Sequence, residues 1–243
     1  MITLQSRSAF LLGACAITLV LPGLVSQSFA VDNDEVTTVD KNAVTAVGTY
    51  TGMFGPHKIT VSIEKIIGRS LTGYSIVTGN ERAFSGPWQT VPDGIAFIAK
   101  EPGDHPEDGF FTLTFNSKDK TLAGRWDAND KKKPSVELVL QHRVFRYNAK
   151  SGEYPQASQR LLKESDVENM RPVELRIMRN EIYARHGYNF QLEDMQKHFA
   201  NVEWYMPVVL DVKDKLTALE TKNAALIKRY ENYGAAYYDR FGR

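Results

Sequence analysis

Among the side chains able to do chemistry, His186 stands out, because an imidazole titrates near pH ~6.5 and can act as a general base. Glu181, Arg185 and Arg179 lie close to it in sequence. A hydrolytic site would pair His186 with Glu181 or Arg179. Glu181 and His186 are five residues apart, however, and so do not share a helix face. His186 and Arg185 fit better as positive charges at the end of a helix, where they offset its dipole. Arg179, Asn180 and Asn223 border apolar stripes, which points first to a buried polar network between helices and second to a ligand site. Trp204-Tyr205 and the tail aromatics Tyr237, Tyr238 and Phe241 could form a platform for glycan or peptide, although packing accounts for them as well. The candidate binding residues are therefore Arg179, Asn180, Arg185, His186, Trp204 and Tyr205.

Other chemistries find little support. His186, His198 and Glu203 lack the His-Glu-x-x-His spacing of a zinc site, and Asp194 with His198 reads as a surface pair. The loop from Glu101 to Asp108 has Asp104, Glu107 and Asp108 beside His105, but it does not follow a calcium-binding loop pattern and reads as a solvated hairpin turn. No Gly-x-Ser-x-Gly elbow, phosphate-cradling loop or dinucleotide fingerprint occurs. No metal or cofactor is expected.

The first 30 residues differ from the rest. Arg7 is their one charge, Phe10 to Val25 is almost wholly apolar, and Ser28-Phe29-Ala30 offers small residues for cleavage after Ala30. This is a secretory leader, too short before Pro22-Gly23 to be a membrane span. Lipoprotein processing at Cys15 is the alternative, disfavoured because Arg7 leaves a very short apolar segment before it. Export to the periplasm or the cell exterior follows. Cys15 is the one cysteine, so the processed chain would lack disulfides, thiolate nucleophiles and Cys-ligated zinc. Loss of Arg7 leaves equal numbers of basic and acidic residues, which gives no electrostatic reason to expect nucleic acid as a partner. An envelope glycan, peptide or protein is the expected partner class.

Two periodicities position these residues. Residues 31–46 are a polar lead. Over 47–147 the apolar period is two, with strands expected near 47–54, 57–65, 70–78, 82–91, 93–100, 109–116, 120–127 and 135–143. Eight antiparallel strands joined by tight turns can close into an up-and-down barrel. Tyr50, Phe97, Phe111, Phe115 and Trp126 would face inward and fill it, against the alternative of a small-ligand carrier. The rhythm of Gly-Thr-Tyr and Leu-Thr-Gly-Tyr steps loosely resembles avidin-like and lipocalin-like barrels. Polar residues 148–158 read as a linker. Beyond it the period becomes 3.6, giving a small helical bundle over 159–243. A short helix is expected after Ser165, followed by a central helix through Leu175, Met178 and Ile182 that stops at His186-Gly187. Two more helices follow, near 192–199 and 212–230.

Ser165 to Glu231 resembles the YARHG domain, named for a run present here as Tyr183-Ala184-Arg185-His186-Gly187. Glu174-Leu175-Arg176, Arg179-Asn180-Glu181-Ile182, Phe190, Phe199, Trp204-Tyr205, Leu216, Glu220, Asn223 and Ile227 extend the likeness. Arg171, in place of a Ser-type cap, and Met206, in place of a Lys, depart from the pattern, and the first departure predicts a frayed helix start. The resemblance implies a location outside the cytoplasm and carries no particular reaction with it.

Overall fold

The computed structural model describes residues 41–241; the leader with Cys15, and the side chains of Tyr237, Tyr238 and Phe241, lie outside what it describes. Eight strands follow in order: β1 (Gly48–Phe54), β2 (His57–Ile67), β3 (Ser70–Val77), β4 (Asn80–Val91), β5 (Gly94–Lys100), β6 (Gly109–Asn116), β7 (Thr121–Ala128) and β8 (Val136–His142). Each pairs antiparallel with its neighbour, and β8 returns to β1 through Tyr50 opposite His142, so the barrel is closed. Closure leaves no unpaired strand edge.

Alternation decides what lies inside. Tyr50, Ile59, Val61, Ile63, Ile95, Phe97, Phe111, Leu113, Phe115, Leu122, Leu138 and Leu140 are buried in one cluster, with Phe54, Trp126 and Val136 packed on it. Leu71, Phe84 and Trp88 complete that core. Its aromatic rings meet edge-on or tilted, Tyr50 with Phe115 at 6.0 Å and Phe84 with Phe111 at 5.4 Å. These are the geometries that ring quadrupoles favour. The interior is therefore occupied by side chains. A bulge between Ile63 and Lys65 shifts the register by one residue. This turns Ile66 onto the core and leaves Ile67 exposed. The last residues of the polar lead form helix α1 (Lys41–Ala46). Its Ala43 and Ala46 are buried in the barrel core, and the Ala46 carbonyl accepts from the Tyr50 hydroxyl at 2.7 Å.

The helical part contains α2 (Gln156–Gln159), α3 (Pro172–Arg185), α4 (Glu193–Ala200) and α5 (Ala218–Phe241). Between α2 and α3, the helix expected behind Ser165 is one 3-10 turn, Glu164–Asp166, with Asp166 accepting from the Lys163 N–H at 2.7 Å. The start of α3 is held by Glu174, which accepts from the Arg171 N–H at 2.9 Å, the N3 half of a capping box without its Ser half. Leu175, Met178 and Ile182 of α3 pack with Ala224 and Ile227 of α5. Among the described residues no helix is long and apolar enough to cross a membrane.

Barrel and bundle share one surface. On the outward side of β2 and β3, Thr60 and Ile76 are fully buried where α4 packs on β2. Lys58, on the same side, donates to the carbonyls of Val202 and Tyr205. Its ammonium lies 5.6 Å from the centre of the Tyr205 ring. Burial, then the nearby Arg143 charge, pushes the Lys58 pKa down from 10.5 to about 8, against a smaller upward pull from Glu203. Between those two values the unfolded chain holds the proton more often, so this lysine makes stability rise with pH. Urea denaturation from pH 7.5 to 10.5 should show the wild type gaining stability relative to Lys58→Met as pH rises. A difference that stays constant with pH would contradict the buried position of the ammonium.

Candidate functional site

The end of α3 places the polar residues of interest. His186 is its C-cap, and Gly187 follows with φ +78°. The Gly187 N–H donates to Ala184 O at 2.9 Å and the Tyr188 N–H to Tyr183 O at 3.2 Å. The rings of Tyr183 and Tyr188 meet at 6.3 Å. This is a Schellman stop with its apolar contact. A Cβ on Gly187 would also sit 2.3 Å from Val208 Cγ2, so both backbone and space require glycine there.

One turn earlier, Arg185 and Glu181 form a fully buried ion pair at 2.7 Å. Arg185 also donates to Ser151 O at 2.8 Å and Ser158 Oγ at 3.2 Å. Glu181 accepts from the backbone N–H groups of Glu153 (2.7 Å) and Tyr154 (2.9 Å). Gly152 passes so close that a Cβ would lie 2.5 Å from the Glu181 carboxylate. Residues 148–158, expected as a linker, are thus bound along α3, with Ala157 buried in its core. Asn223 of α5 holds the next residues, donating to Ala157 O and Arg160 O and accepting from the Leu162 N–H. Burial lowers the Arg185 pKa from its ordinary value, opposed by Glu181 and Glu220.

His186 has a separate partner. Its Nε2 lies 2.8 Å from Glu220 Oε2, and its ring packs on Tyr147 at 4.6 Å. Tyr147 donates its hydroxyl to Glu220 Oε1 at 3.0 Å. Thr217 caps α5 in a reciprocal box with Glu220: the Thr217 N–H donates to Glu220 Oε2 and the Glu220 N–H donates to Thr217 Oγ1. Burial raises the Glu220 pKa, but the bonds from His186 and Thr217 outweigh it and leave it at about 2. Glu181 and His186 are therefore not partners. Each is committed to a different structural bond.

Arg179 and Asn180 face elsewhere. Together with the turn after α3, the 211–216 segment and α5, they line a cleft of about 620 Å³. Arg179 makes a two-pronged pair with Glu231 (Nε to Oε2, 2.9 Å), and its guanidinium lies 5.8 Å from the Tyr183 ring centre. Asn180 is 7% exposed and donates to Arg176 O at 2.8 Å. Tyr205 is buried in a cluster with Phe190 and Phe199, its hydroxyl donating to Tyr188 O at 2.7 Å; Trp204 packs at the edge of that cluster. The site residues named from sequence thus fall in three places: Arg179 and Asn180 at the cleft, Arg185 and His186 in the buried clasp, and Trp204 and Tyr205 under the turn.

The 101–108 loop is less solvated than its composition suggests. Glu101 and Asp108 are buried. Glu101 accepts from the Gly109 N–H at 2.9 Å, and Asp108 pairs with Arg82 and accepts from the His105 N–H. Among the described residues no group of His, Cys, Asp and Glu is arranged to hold a metal ion. Of the clasp residues, Glu220 is marked in the sequence only by the family likeness, with no role attached, and Tyr147 is not marked at all. Thr217-x-x-Glu220 was the available signal for Glu220, as a helix-start box; Tyr147 carries no local signal.

The chain is a closed eight-stranded barrel joined to a small helical module that has a buried ionic clasp and an adjoining cleft. Residues 151–232 match the family model of the YARHG domain. No curated protein and no solved structure matches the chain.

Removing one member of a buried pair strands the other charge, at a cost of about 3–5 kcal/mol. Arg185→Met should lose stability on that scale in urea denaturation, and adding Glu181→Gln should return part of it. A single-variant loss below about 1 kcal/mol would make the pair dispensable. Glu220 contributes stability that is present above its unfolded value of 4.5 and lost as pH falls towards about 2. Glu220→Gln should therefore flatten the acid limb of a pH–stability curve, and an unchanged limb would contradict that role.

Proposed function

We propose that the chain is an exported envelope protein, periplasmic or extracellular, that binds an envelope component through the cleft of its YARHG domain. In this reading residues 1–30 direct export, the barrel of 47–147 is the scaffold, and the helical module of 159–243, joined through 148–158, carries the site. The observation that supports it best is Asn180. Its amide nitrogen is used within α3, while its oxygen makes no hydrogen bond among the described residues although the side chain lines a cleft. That oxygen is open to the cleft, where it can accept from a ligand donor. The size of the cleft falls in the range of small-molecule and short-chain ligand sites. Arg185 and His186 support the reading indirectly, by holding the α3 end and the turn that form one wall.

The test is retention of the processed chain, from Val31 onward, on envelope fractions including peptidoglycan. Wild type should be retained. Asn180→Leu and Lys213→Glu should lose most of the retention while keeping a normal melting temperature. Wild type that passes through unretained would remove the reading.

A further inference from the structure

The cleft's chemistry narrows its ligand beyond the reading just given, on which this inference rests. Its lining carries four cations (Arg176, Arg179, Lys213 and Lys228) against two carboxylates, Asp211 and Glu231. The cations are not equally occupied. Arg179 spends its fork on Glu231, and Arg176 is paired with Asp194 at 2.8 Å. Lys228 reaches the same Glu231 at 3.1 Å with one of its three donors. Lys213 is 3.8 Å from Asp211, beyond hydrogen-bond distance, and its side chain is 88% exposed. Charged donors still to be used therefore sit on Lys213 and Lys228, with the remaining nitrogens of Arg176 beside them, where an anionic group would be received.

The aromatic rings argue against a sugar. Stacking on a glycan needs a free ring face. Phe190 is stacked on Phe199 at 4.6 Å with 7° between planes, and it meets Tyr188 at 89° with centroids 5.1 Å apart. Arg179 lies over Tyr183. Leu192, Met195, Val212 and Leu216 provide instead an aliphatic wall of the kind that takes an apolar side chain. The Asn180 oxygen, deeper in, can accept a backbone N–H.

We propose that the cleft takes a short peptide end-on: its free carboxylate at Lys213 and Lys228, an apolar side chain on the aliphatic wall, and a backbone N–H on Asn180. The test is calorimetric titration of the processed full chain with acetyl-Ala-Ala-Leu as free acid, the same peptide as its C-terminal amide, and an N-acetylglucosamine trimer. The acid should bind, and the amide should bind at least about tenfold more weakly, since a charge-assisted bond is lost. Lys213→Met/Lys228→Met should reduce acid affinity by about the same factor and leave amide affinity and melting temperature unchanged. Equal affinity for acid and amide, or binding of the sugar but not the acid, overturns the proposal. If the acid fails to bind while cleft variants still abolish envelope retention, the peptide proposal falls and the envelope reading stands. If the cleft variants also leave retention untouched, the reading falls with it.

Discussion

The helical domain depends on one interaction, the buried pair of Arg185 with Glu181. An arginine with no exposed side-chain surface is tolerated only when its charge is matched and its donors are used. Here the match comes from the preceding helical turn and the remaining donors go to Ser151 and Ser158. Glu181 spends its other lone pairs on the backbone of Glu153 and Tyr154. A helix pair that also binds an incoming strand of chain has two consequences. The 151–160 segment cannot leave without breaking the bonds that satisfy the pair's other donors and lone pairs, and α3 ends just past Arg185 in the Gly187 turn.

The second consequence explains the signature run. Tyr183 and Gly187 shape the stop, Arg185 anchors the wrapped segment, and His186 bridges to the cap of α5 through Glu220. These residues build the domain from within. The cleft lies one to two turns earlier, at Arg179 and Asn180, where α3, the turn and α5 diverge. On the opposite side, the segment after α4 lies against the barrel, held by Lys58 on the carbonyls of Val202 and Tyr205. The barrel, filled by its own rings, gives the module a rigid floor.

Much of this was legible because it is local. Alternation at Ile59-Val61-Ile63 and at Phe111-Leu113-Phe115 identifies the inward faces, and turn residues place the strand ends to within a few positions. Leu71, Phe84 and Trp88 escaped because their strands contain Gly73, Gly86 and polar neighbours that blur the period. The Schellman stop could be read from Arg-His-Gly-Tyr alone. What stayed hidden is long-range. Nothing near His186 announces Glu220, 34 positions on, or Tyr147, from the end of the barrel. The polar 148–158 segment looks like a tether because its partners, Glu181 and Arg185, are supplied by a helix later in the chain. Asn180 and Arg179 look equivalent in sequence, yet they differ: Arg179 is answered by Glu231, and Asn180 keeps an open oxygen.

The division between a structural clasp and a neighbouring binding cleft can be tested directly by amide chemical-shift mapping of the processed, isotope-labelled protein during titration with solubilised envelope extract. Shifts concentrated at the Asn180 side-chain amide, Tyr188, Leu192 and Lys213, with Arg185 and His186 nearly still, are the predicted result. Shifts centred on His186 and Glu220, or on the barrel interior at Phe97 and Phe111, would contradict it.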